Sequence, residues 1–246
     1  PSIENLIKSL SAKSDELKNT VKTGRTHLMD AMPITMGQEI DGWKQQMKNA
    51  YNRIDGGLER LSQLAQGGTA VGTGVNAHQD FGKIFVSILS KKTGKDFKSA
   101  ASYFESLSSQ DTSLEISSYL KSLAVSLLKI SNDLRWMNSG PLSGIGEIKL
   151  PELQPGSSIM PGKVNPVIPE AVAMVAAQVI GNDTTVTIAA QSGNFQLNVM
   201  LPIIAHNLLE SIHVLTNSII SLNEKAIRGF EVNYDKIKAN LDRNPI

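Results

Sequence analysis

Ala171-Val172-Ala173-Met174-Val175-Ala176-Ala177 (residues 171–177), inside a longer apolar stretch from Glu170 to Ala190, surrounds a helix axis with small apolar side chains. A surface helix keeps one polar face, whereas a helix that is apolar all round sits in a core. Its small residues let neighbouring helices approach closely. Such a helix needs more neighbours than a chain of 246 residues readily supplies. Bundles from several copies of the chain are therefore expected to merge around it.

The flanking sequence supplies further helices. Ile3, Leu6, Ile7, Leu10, Leu17 and Val21 recur at helical spacing, which predicts an amphipathic helix over 3–21 that stops at Thr23-Gly24. Thr35 followed by Gln38 is a capping-box pattern, and Trp43, Met47, Ile54, Leu58, Leu61 and Leu64 give the helix after it one apolar stripe. Phe81 to Leu89 reads as a shorter helix ended by Thr93-Gly94, and Leu114 to Met137 as a long one. A helix from about Asn198 to Arg228, capped by Gly229, precedes a short one over Asn233 to Leu241. No alternating strand pattern is evident. The expected class is all-α, a bundle of long antiparallel helices.

Composition narrows the function. The formal net charge is +1 with the basic residues scattered, so neither nucleic acid nor an acidic membrane is expected as a partner. The longest apolar run, Ala171 to Ile180, contains Gln178 and is too short for a membrane span. There is no cysteine, which excludes disulfides, thiol catalysis and cysteine metal sites, and suits a reducing compartment. The glycines of Gln66-Gly67-Gly68-Thr69-Ala70-Val71-Gly72-Thr73-Gly74 lack the Gly-Lys-Ser/Thr ending of a phosphate loop, and no strand pattern precedes them. A polar wall or a close helix approach fits them better.

The stretch that leads into the apolar helix is Gly156-Ser157-Ser158-Ile159-Met160-Pro161-Gly162-Lys163-Val164-Asn165-Pro166. Its glycines, prolines and serines rule out regular structure, and a loop anchored on a rigid helix commonly carries function. Lys163 and Asn165 suit a small anion, one as a compact charge and the other as a directional amide. Glycines beside serines allow backbone N–H groups to turn inward and stabilise developing negative charge.

This loop closely resembles the signature of the fumarase/aspartase superfamily, whose members add or eliminate HX across the double bond of fumarate or a related compound. Lys22 to Pro33, with Thr26 and His27, resembles the family's second motif, and Gly37-Gln38-Glu39 continues it. Gly68 to Gly74 and Ser192 to Met200 are also similar to family segments, so the resemblance covers essentially the whole chain. Within the superfamily, aspartases carry glutamine where this chain has His27, and alanine where it has Gly162. Val167-Ile168-Pro169-Glu170 is closer to the aspartase form. Two site features against one flanking feature favour the fumarase branch, with aspartate ammonia-lyase as the alternative. A catalytically incomplete oligomerisation core, or structural homologue, is the reading from another class.

The resemblance implies a mechanism. Dehydrating malate removes a proton beside a carboxylate and leaves a dianionic aci-carboxylate, so the main task is to stabilise extra negative charge. Lys163 and Asn165 are implied to bind the substrate carboxylates, with Thr26 and Ser158 assisting. Chemistry alone would nominate His27 as the base, because an ordinary imidazole titrates near neutrality. The family instead implies Ser157 as the base, and His27 paired with Glu170 as the group that handles the hydroxyl or water. A neighbouring carboxylate fixes the tautomer of an imidazole and favours its charged form, which suits general-acid work. His78, His206 and His213 match no catalytic motif. No metal or organic cofactor is expected.

Fumarate and malate are the implied small-molecule partners and a homotetramer the implied assembly, in the cytoplasm, or the mitochondrial matrix if the source is eukaryotic. Residues 1–228 are expected to form the family's central helical domain and 229–246 to begin its C-terminal segment. The first family motif, upstream of the first helix, is missing. With no initiator methionine, this reads as a piece of a longer protein.

Overall fold

The computed structural model of the chain describes residues 1–154, 160 and 162–244. The fold is all-α with small sheets. Its helices are α1 (Ser2–Glu16), α2 (Met36–Leu61), α3 (Phe81–Thr93), α4 (Tyr103–Ser108), α5 (Asp111–Met137), α6 (Val167–Ala190), α7 (Leu201–Leu222) and α8 (Tyr234–Leu241). The chain divides into two compact units. One comprises Pro1–Tyr51, Leu123–Ala177 and Val214–Ile246, the other Asn52–Ser122 and Gln178–His213. Four long helices, α2, α5, α6 and α7, therefore contribute a part to each.

In the first unit the buried stripe runs through Leu6 and Leu10 of α1, Met36, Ile40, Trp43 and Met47 of α2, and Leu123, Leu127, Ile130 and Leu134 of α5. These are the positions that helical spacing assigns to one face. In the second unit Val186, Ala189 and Ile204 form a core cluster, with Leu114 and Leu208 packed against it.

Several local features follow the sequence closely. The capping box is reciprocal: the Thr35 N–H donates to Gln38 Oε1 at 2.9 Å and the Gln38 N–H to Thr35 Oγ1 at 3.1 Å. Gly94 ends α3 with φ +67°, and Asn233 caps α8 by accepting from the Lys236 N–H. At its C-terminal end α7 widens into a π-helical turn over Asn223–Ile227, and Arg228 follows as the cap, one residue before the glycine expected there.

The beginning of the chain departs from expectation. The first helix ends at Glu16, and Val21 opens a strand instead of closing a helix. Strands β1 (Val21–Thr26) and β2 (Met29–Thr35) pair antiparallel. Their register shifts between Thr23 and Arg25, at a bulge where a side chain on Gly24 would lie 2.5 Å from the Met32 carbonyl. Polar residues and a bulge hide the period of two, so alternation does not announce this hairpin. Beside the hairpin, two pairs of two-residue strands form, β3 (Gln63–Leu64) with β4 (Lys98–Ser99) and β5 (Ile148–Lys149) with β6 (Glu231–Val232).

The apolar helix α6 also needs a correction. It is long and apolar enough to cross a membrane by length and composition, with a mean hydropathy of 1.2, although no uninterrupted run in it is. Two polar side chains in its second half are nevertheless buried and bonded within the chain. Asn182 donates to Glu210 and Ser211 of α7, and Asp183 accepts from Ser117 and Lys121 of α5. Those bonds belong to a helix packed in protein.

Candidate active site

The β1–β2 hairpin carries the first pair of candidate residues. Thr26 pairs with Met29, so His27 and Leu28 form a two-residue turn, with φ of +55° and +60°. Two positive values are what a right-twisted hairpin needs across so short a turn. For residues other than glycine each costs roughly 1–2 kcal/mol. The turn therefore holds His27 at the exposed tip in a conformation that the strands below it must maintain. Thr26 is exposed beside it.

The root of the hairpin is buried and charged. Lys22 Nζ donates to Glu39 Oε2 at 2.6 Å and lies 2.7 Å from Glu147 Oε2. Arg25 Nη1 donates to Glu147 Oε1 at 2.7 Å. Glu39 sits in the first turn of α2, and α8 packs against β1.

The second group of candidates lies at the end of the signature loop. Gly162 has φ +76°, and short bonds from Lys163 N–H to Met160, Val164 N–H to Gly162 and Val167 N–H to Asn165 curl the backbone into α6. Glu170 falls in the first turn of that helix, where the helix dipole favours a carboxylate. Lys163, Asn165 and Glu170 all line one cleft of about 510 Å³. Its wall also includes Arg135 and Trp136 at the end of α5, Lys149 of β5 and Asn233. Arg135, Lys149 and Lys163 set three cations against the single carboxylate of Glu170, a balance that suits an anionic ligand.

Two of the sequence-derived residues, Ser157 and Ser158, lie outside the described residues. Lys163, Asn165 and Glu170 come together. Thr26 and His27 do not line the cleft, and among the described residues His27 shares no hydrogen bond or ion pair with Glu170. Arg135, Lys149 and Asn233 were not expected in the site. Arg135 and Asn233 sit at helix ends, where a polar residue reads as a cap or a solvated face, and Lys149 lies inside the non-periodic stretch from Gly140 to Asn165.

A lyase family model matches residues 1–181. The chain belongs to this lyase family. Over its full length it is 57% identical to a class II fumarate hydratase of Pseudomonas aeruginosa, covering 54% of that protein. It is 56% identical to one of Xylella fastidiosa, covering 52% of it. The crystal structure of a class II fumarase from Schistosoma mansoni superposes with a TM-score of 0.97 at 38% identity, over 99% of this chain and 54% of that one. The chain thus spans about half the length of the curated relatives that it matches. The resemblance read from the signature loop and the hairpin stretch agrees with this membership in the lyase family.

Proposed function

We propose that this chain is the central part of a fumarate hydratase, which reversibly adds water to fumarate to give malate. The observation that carries the reading is the convergence of Lys163, Asn165 and Glu170 on one cation-rich cleft directly before the apolar helix. Lys163 and Asn165 hold the substrate carboxylates, with Thr26 and Ser158 assisting. Their donors stabilise the aci-carboxylate that forms when Ser157 takes the proton beside a carboxylate. His27, paired with Glu170, protonates the departing hydroxyl or activates water.

His27 and Glu170 are not joined within one chain, so the pairing runs between copies in a homotetramer. Apolar surface supports such an assembly: Met174 is 71% exposed and Ile188 54% exposed on α6. Residues 1–228 serve as the central domain and residues from 229 begin the C-terminal segment. A cysteine-free chain suits the cytoplasm. The reaction needs no metal or organic cofactor.

The test is the ultraviolet absorbance of fumarate mixed with the full-length protein. Loss of absorbance without ammonia, with malate as the product, is expected. Loss only when ammonia is present would make the protein an ammonia-lyase, and no loss under either condition would leave a scaffold.

A further inference from the structure

Glu147 belongs to none of the sequence signals that singled out the site, yet its side chain has no accessible surface. A buried carboxylate is tolerated only when it is paired and hydrogen-bonded. Here Arg25 donates to one oxygen at 2.7 Å, and the Lys22 ammonium lies 2.7 Å from the other. The second contact is off the hydrogen-bonding direction, so it is mainly electrostatic. Lys22 also binds Glu39, and the exposed Asp30 carboxylate lies 3.8 Å from Arg25, so two cations hold Glu147 within a small charge network.

Within one compact unit the geometry joins two segments that carry candidate site residues, the hairpin and the wall of the cleft. Lys22 and Arg25 both lie on β1, and Arg25 is two residues before His27. On the other side, Glu147 is flanked by Gly146 and Ile148, which line the cleft of Lys163 and Asn165. Its carbonyl accepts the N–H of Asn233, another lining residue, at 2.9 Å. The side chain thus clamps the hairpin while the backbone forms cleft wall. The tip needs such a clamp, because both of its turn residues are held at positive φ.

We propose that Glu147 is a positioning residue: through Arg25 and Lys22 it fixes the hairpin that presents Thr26 and His27, and ties that hairpin to the wall of the anion-binding cleft. This rests on the reading that His27 acts in fumarate hydration.

The experiment measures kcat and KM for hydration by the full-length protein carrying Glu147→Gln, His27→Asn, or both. Glu147→Gln keeps the size of the side chain and one bond to Arg25 but removes the charge. Misplacing a reacting group by about 1 Å can cost on the order of 10²-fold in rate, and a fall in kcat of up to that size is expected. KM should rise by less than kcat falls, because Lys163 and Asn165 are untouched and only Thr26, an assisting contact to the substrate, moves with the hairpin. The double variant should be no slower than His27→Asn alone. Losses that multiply in the double variant, or an unchanged kcat for Glu147→Gln, would overturn the proposal. Failure of the underlying reading looks different, since His27→Asn would then be fully active. If Glu147→Gln does not fold, Arg25→Lys paired with His27→Asn makes the same test, because it keeps a cation opposite Glu147 and removes only the planar fork. Multiplied losses there overturn the proposal equally.

Discussion

Each compact unit buries a carboxylate, and the two are served in different ways. Glu147, in the first unit, lies outside any helix and is neutralised by Lys22 and Arg25 on a hairpin, the latter 122 residues away in sequence. Asp183, in the second, sits within α6 and accepts from Ser117 and Lys121, four residues apart on one face of α5. The Lys121 ammonium reaches solvent, with its side chain 42% exposed, whereas Lys22 is enclosed. A helix face can present two partners by spacing alone. A loop carboxylate has to wait for the tertiary fold, so that in the first unit charge pairing and site geometry become the same problem. Disturbing the first unit should therefore change chemistry, and disturbing the second only stability.

The largest effect is expected at the cleft. Lys163→Met should lower kcat/KM by about 10²–10³-fold, the usual consequence of removing a preorganised donor to developing charge. Tm should hold, because Lys163 is exposed; a parallel loss of Tm would place the lysine in the scaffold instead. Next comes Lys22→Met, which leaves Glu147 with Arg25 alone. Breaking a buried pair on one side typically costs about 3–5 kcal/mol, so urea unfolding should show a loss of that order together with reduced activity. Stability lost with full activity retained would separate the hairpin root from function and weaken the contrast.

Asp183→Asn should cost about 2 kcal/mol, in the range for hydrogen bonds to charged groups, while kcat stays unchanged. A fall in kcat would mean that the second unit also shapes the site. The smallest effect concerns pH. The Arg60 guanidinium, with help from the Tyr119 hydroxyl, holds the Glu115 carboxyl below the usual carboxylate range. A depressed acid adds stability above its unfolded pKa and loses it as pH falls through the folded value. Glu115→Gln should therefore lower Tm slightly near neutrality, with the deficit vanishing as pH drops through the acid range. A deficit that persists below that range would point to packing in place of charge.

By itself the sequence determined most of the helices and part of the candidate site. Helical periodicity locates α2 and α5, because burial of one stripe imposes a spacing that survives without any knowledge of neighbours. Thr35 and Gln38 bond each other three residues apart, so that cap was legible too. Lys163, Asn165 and Glu170 sit within eight residues of one another and reach one cleft with little help from the rest of the fold. The tertiary structure alone decided the hairpin at 21–35, which a bulge and polar residues disguise, and the left-handed turn that holds His27. It alone brought Arg135, Lys149 and Asn233 to the cleft and Glu147 to Lys22 and Arg25. The physical reason is range: local bonds and helical spacing act within a few residues, whereas neutralising a buried charge depends on whichever distant segment the folded chain sets beside it.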